Sequence, residues 1–173
     1  TIVSEEVAAK RQSLGEIVAQ IAQTVIARAD KGINHGVVLI PEGLIEFIPE
    51  MGVLIAELND VLAKNAAECE AQTETSRVVF VRSLLSASSA TLFASLPDYI
   101  IKMLLADRDS HGNLQVSLIP TEQLLIDMTA RAISETNADV PFATQNHFFG
   151  YEGRCGAPTL FDAAYTYNLG LTA

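Results

Sequence analysis

Gly36-Val37-Val38-Leu39-Ile40-Pro41-Glu42-Gly43 is the stretch on which the fold reading turns. A short β-branched run between a glycine and a proline reads as a strand buried on both faces, as in a parallel sheet. On its N-terminal side Leu14, Ile17, Val18, Ile21, Ala22, Val25 and Ile26 recur at the spacing of one buried helical face. Ser13 and Glu16 form a capping-box pattern before it. Gly32 and Asn34 end that helix near Asp30. On the C-terminal side a second helix follows Pro49, with Met51, Leu54, Ile55, Leu58, Val61 and Leu62 on one face. Helix, buried strand and polar turn is α/β grammar. In such sheets ligands sit at the carboxyl ends of strands, which makes Glu42 a candidate by position.

Further along, residues 65–77 are polar and lack a stripe, so a helix end and a loop are expected. Residues 78–106 read as helical with Pro97 as a break. Residues 107–113 read as a loop. A helix from Thr121 carries Leu124, Leu125, Met128, Ala132 and Ile133, and residues 135–141 are a polar connection. Residues 142–149 read as a second strand. Residues 150–158 (GYEGRCGAP) hold three glycines and a proline, marking a tight loop that backbone or ligand approaches closely. Thr159 is placed to cap a last helix, with Asp162 at its third position and Phe161, Ala164, Tyr165 and Leu169 along it. The fold class is therefore α/β and helix-rich, with few parallel strands near 36–40 and 142–149. Residues 1–64 and 141–173 form one lobe, and 65–140 a largely helical insertion.

Composition narrows the function classes. The 173 residues carry 49 % hydrophobic and 18 % charged side chains, enough for a packed core. A formal charge of -10 argues against a nucleic-acid partner, since a phosphate backbone needs surplus cations. It leaves room for a small anion held by a few local Arg or Lys side chains. Two cysteines are too few for a disulfide scaffold, and a reducing cytoplasm is expected. The uncharged residues 83–97 are shorter than the ~20 apolar residues of a spanning helix, so a buried helix pair is expected and no membrane partner. The chain begins with Thr1 and no basic-then-apolar leader, which reads as a processed chain or an excised fragment.

The chemistry concentrates in two loops. Arg154 lies in a glycine-rich loop before a helix start, a setting suited to a phosphate monoester. Its other reading is a surface pair with Glu152 or a helix carboxylate. Tyr151 can donate to a phosphate or sugar oxygen, or pack with its hydroxyl in water. Glu42 can accept sugar hydroxyls, or cap the helix that follows. Glu46 and Glu50 read as solvated. His35, His111 and His147 show no ligand spacing. His147 reads as a core or sheet-end histidine, and His111 as exposed in its loop. Cys155 has no base partner and reads as inert. No residue set has metal-ligand spacing, and the common nucleotide and hydrolase motifs are absent.

Residues 36–50 (GVVLIPEGLIEFIPE) and 147–156 (HFFGYEGRCG) resemble the long form of pyrophosphate-dependent 6-phosphofructokinase. So do 96–102 (LPDYIIK), 121–125 (TEQLL) and 161–170 (FDAAYTYNLG), in order along the chain. The resemblance implies reversible transfer of a phosphoryl group from pyrophosphate to the 1-hydroxyl of fructose 6-phosphate, with magnesium. It implies that Glu42 holds sugar hydroxyls and that Tyr151 and Arg154 hold the 6-phosphate. ATP-dependent relatives place His at the position of Tyr151. They also carry an arginine six residues earlier, where Gln145 stands, so part of the clamp must come from elsewhere, for instance a neighbouring subunit.

The family's glycine-rich donor motif, its Thr-Ile-Asp segment with the catalytic aspartate and its Met-Gly-Arg segment are not in this sequence. The chain thus resembles a piece of the C-terminal half, with no catalytic residue of its own and inactive alone. Its magnesium would be bound mainly outside it. Its partners would be fructose 6-phosphate, pyrophosphate, the remainder of the same polypeptide and further copies in a homo-oligomer. The rival reading is a non-catalytic regulatory or assembly subunit on the same scaffold, with residues 83–97 serving oligomer contacts.

Overall fold

The computed structural model describes residues 1–106, 119–136 and 140–172. The loop expected at 107–113, with His111, lies outside them. The described elements are helices: α1 (Ser4–Lys10), α2 (Leu14–Ala29), α3 (Leu44–Phe47), α4 (Pro49–Lys64), α5 (Ala66–Glu70), α6 (Glu74–Leu84), α7 (Ala87–Ser95), α8 (Asp98–Leu104), α9 (Thr121–Glu135) and α10 (Leu160–Thr172).

The long helices begin and end where their chemistry directs. The Ser13 hydroxyl accepts the Glu16 amide at 3.1 Å, and the Glu16 carboxylate accepts the Ser13 amide at 2.8 Å. This capping box starts α2. Glu50, expected to be solvated, instead reaches from the first turn of α4 to accept the Leu14 amide at 2.7 Å. One more orphan donor of α2 is satisfied, and the starts of two helices are joined. At the far end Gly32 adopts φ +73°. The Gly32 amide donates to Ala29 at 2.8 Å and the Ile33 amide to Arg28 at 3.0 Å, which is a Schellman ending. Pro49 stands at the first position of α4, where its missing N–H is harmless.

One apolar core joins the helices. Leu14, Leu44, Ile48, Met51, Leu54, Leu58, Val81, Phe93, Ile100, Leu104 and Leu124 have no measurable exposure. α2 packs on α9, and α4 packs on α3, α5, α6 and α7. Helices from the expected insertion therefore share a core with helices of residues 1–64. The polar residues 65–77 are more regular than expected. They form α5, and the Thr73 hydroxyl accepts the Ser76 amide to cap α6. Residues 83–97 are not one helix. The chain breaks at Leu85 and Ser86, and α7 restarts with the Ser86 amide and hydroxyl donating to Glu57 of α4 at 3.0 and 2.8 Å. No helix among the described residues is long and apolar enough to cross a membrane.

The strands expected at 36–40 and 142–149 do not form. Neither segment has regular secondary structure, and no strand occurs among the described residues. The reason is physical. A parallel strand is stabilised by neighbours on both edges, and the first segment's long-range backbone bond is the Ile2 amide donating to the Leu39 carbonyl at 3.0 Å. The apolar side chains that signalled burial are outside: Val37 is 83 % and Phe149 70 % exposed. His147, read as a core or sheet-end residue, is exposed as well. α10 buries no residue.

Leu54→Ala empties a fully buried site on α4 and should destabilise the chain by roughly 2–5 kcal/mol. Urea unfolding checks this. An exposed control on the same helix, Val53→Ala, should remain within about 0.5 kcal/mol of the parent.

Candidate functional site

The end of α2 leads directly to the first loop. The Arg28 guanidinium donates to the His35 carbonyl at 2.8 Å and lies against Gly36, bracing the approach to residues 37–40. The chain then turns at Pro41-Glu42-Gly43. The Leu44 amide donates to the Pro41 carbonyl at 3.2 Å, and Gly43 has φ +77° and ψ 7°. Those are the dihedrals of the third residue of a type II turn, which glycine adopts without strain. Glu42 is thereby held at the second position of the turn. The N-cap position of α3 is Gly43, which has no side chain to cap with.

The second loop is a single helical turn. The Phe149 carbonyl accepts the Gly153 amide at 3.1 Å. The Tyr151 carbonyl accepts the Arg154 and Cys155 amides at 3.0 and 2.8 Å. Gly150 is favoured by its left-handed backbone, and both Gly150 and Gly153 sit close to phenylalanine side chains. A Cβ on Gly150, which has φ +46°, would stand 2.6 Å from the Phe148 ring, and one on Gly153 would stand 3.0 Å from the Phe149 Cβ. Gly156 has open space. Beyond the loop, Asp162 accepts the Thr159 amide and hydroxyl, both at 2.7 Å, and Thr159 returns the bond by accepting the Asp162 amide at 3.3 Å. The expected cap of the last helix is therefore present.

These turns bring two of the three sequence candidates together. The Arg154 guanidinium donates to the Glu42 carboxylate across 112 positions of chain. Neither Glu152 nor a helix carboxylate takes that place. Both side chains stay largely in water, 63 % and 53 % exposed. Tyr151 is 71 % exposed and is tied to the loop by its carbonyl rather than its ring. The ion pair itself was not foreseen from sequence. Its available signal was charge: a lone acid and a lone arginine, each set in a glycine turn. Cys155 is exposed, and Gln145 is exposed in the preceding segment.

A cleft lies elsewhere on the surface. It measures about 270 Å³ and is lined by Arg11, Ser13, Glu50 and Ser89 among others, with none of the candidate residues. Among the described residues no three His, Cys, Asp or Glu side chains converge to hold a metal ion.

No protein-family model matches the chain. Individual proteins do. It is 49 % identical over 176 residues to the pyrophosphate–fructose 6-phosphate 1-phosphotransferase of Porphyromonas gingivalis, covering 99 % of this chain and 32 % of that protein. Nearly the whole of this chain is thus similar to one part of that phosphotransferase. The phosphotransferase of Entamoeba histolytica is 50 % identical over 173 residues, with 99 % of this chain and 32 % of that protein covered. The beta subunit of the Ricinus communis phosphotransferase is 44 % identical, with 100 % of this chain and 31 % of that protein covered. The chain thus spans about a third of the length of the curated phosphotransferases it matches.

Two outcomes follow from the second loop. Gly150→Ala should open the turn, at a cost of roughly 1–2 kcal/mol for left-handed backbone, and speed amide exchange at Gly153 and Arg154. Gly156→Ala should leave that exchange unchanged. The Asp162 carboxyl is held below its ordinary value of 3.8 by the Thr159 amide first and the Thr159 hydroxyl second. A depressed folded-state value stabilises the charged form. The cap therefore contributes in full above pH 3.8 and fades as pH falls through the lowered value. Amide protection in the first turn of α10 should drop over that acid range, and Asp162→Asn should abolish the pH dependence.

Proposed function

We propose that this chain is the fructose-6-phosphate-binding part of a pyrophosphate-dependent phosphotransferase. The observation that carries the reading is the meeting of Glu42 and Arg154 from two glycine turns, with Tyr151 one turn away. Arg154 supplies a cationic fork for the 6-phosphate, and Tyr151 adds a phenolic donor. Glu42 accepts from sugar hydroxyls. Held at both ends, the sugar presents its 1-hydroxyl to pyrophosphate. That oxygen bonds to one phosphorus, the bridging P–O bond breaks, orthophosphate leaves and the hydroxyl proton is released. The products are fructose 1,6-bisphosphate and orthophosphate. Positioning by a remote phosphate lowers the barrier as well as the dissociation constant.

The groups that grip pyrophosphate belong to parts of the protein outside this chain. Magnesium would be held mainly by those parts too. When bound, a divalent cation supplies charge neutralisation on the transferring phosphoryl oxygens. We assign residues 36–40 and 142–149 to a sheet completed by the rest of the polypeptide. Their exposed valines and phenylalanines, and the one-third span of the relatives, support this. The plant relative named as a subunit supports an oligomer. A cytoplasmic setting accords with the few cysteines.

The test uses the intact parent protein with fructose 6-phosphate and magnesium, supplied with pyrophosphate or with ATP. Activity with pyrophosphate alone is expected. Arg154→Ala should raise the KM for fructose 6-phosphate about 10- to 100-fold and lower kcat, in line with a lost charge-assisted hydrogen bond. An unchanged KM would remove Arg154 from the site. Silence with both donors would favour the regulatory or assembly subunit.

A further inference from the structure

The geometry points to Glu42 as a selectivity screen that keeps orthophosphate off Arg154 until a sugar phosphate arrives. This rests on the substrate-site reading above and deepens it. Without ligand the carboxylate of Glu42 occupies the guanidinium that the 6-phosphate needs. An anion that takes the Nη1 edge of Arg154 must displace it. The displaced carboxylate is then left beside the like charge of the bound anion.

The ligand decides whether that loss is made good. Fructose 6-phosphate carries hydroxyl donors several bonds away from its phosphate. It can satisfy the freed Glu42 carboxylate while its phosphate takes Arg154, so one ion pair is exchanged for two sets of bonds. Orthophosphate has no such remote donors. It must break the pair and leave Glu42 facing like charge. The screen matters because orthophosphate is a product of the proposed reaction and its charge suits the same guanidinium. Both side chains are more than half exposed. An exposed pair of this kind contributes up to about 1 kcal/mol, so the screen amounts to roughly a fivefold handicap on orthophosphate.

The experiment measures binding of inorganic phosphate and of fructose 6-phosphate, separately, to the full-length protein and its Glu42→Gln, Arg154→Gln and double variants. Glu42 is exposed on a turn, so these variants keep the core intact. Glu42→Gln should tighten inorganic phosphate about fivefold while weakening fructose 6-phosphate, and Arg154→Gln should erase the tightening in the double variant. If Glu42→Gln leaves phosphate unchanged or weaker while Arg154→Gln still weakens fructose 6-phosphate, the screen is overturned and the substrate site stands. If Arg154→Gln changes neither ligand, the site reading falls and the screen falls with it.

Discussion

The apolar stripe of α4 is the constraint around which the other helices are arranged. Met51, Leu54 and Leu58 lie on one face and are wholly buried, and one neighbouring helix is too narrow to cover them. α3 and α7 pack on this helix, and α5 and α6 extend the cover. Burying each such side chain is worth about 1.5–3 kcal/mol, so the stripe outweighs any single polar contact in the chain. The polar contacts fix direction instead. Glu50 joins α4 to the start of α2, and Glu57 joins it to the start of α7. Two carboxylates on one helix thus serve as end-stops for two others.

Helices were legible because a helix carries its hydrogen bonds within itself. The period of α2, the Ser13–Glu16 box, the stop at Gly32 and the Thr159 cap are all written in residues a few positions apart. The residues buried on α9 match the expected face, with Leu124, Leu125 and Ile133 inside. Strands were not legible in the same sense. Val37-Val38-Leu39-Ile40 has the right composition, but pairing depends on other segments, and among the described residues no ladder forms. The short helices α1, α3 and α5 went unseen because seven, four and five residues hold too little periodicity to read. Glu50 was misjudged because its partner lies 36 positions away.

The candidate site divides along the same line. The turn chemistry of Gly43 and Gly150 is local, and glycine clusters announced both loops. That the loops face one another is a tertiary fact. Sequence could say that an acid and an arginine each stood in an unusual backbone setting. It could not say that each is the other's counter-ion.

That counter-ion contact also orders events in folding. Glu42 and Arg154 are 112 positions apart, and between them lie helices that build much of the core. Closing a loop of that length has a high entropic cost, which one exposed ion pair cannot offset. The intervening helices must therefore collapse first and carry the two turns into register. The two charges come together late, as a consequence of the core rather than a nucleus for it. A nascent or partly unfolded chain then lacks this pair, and its formation reports that the rest of the chain has already folded.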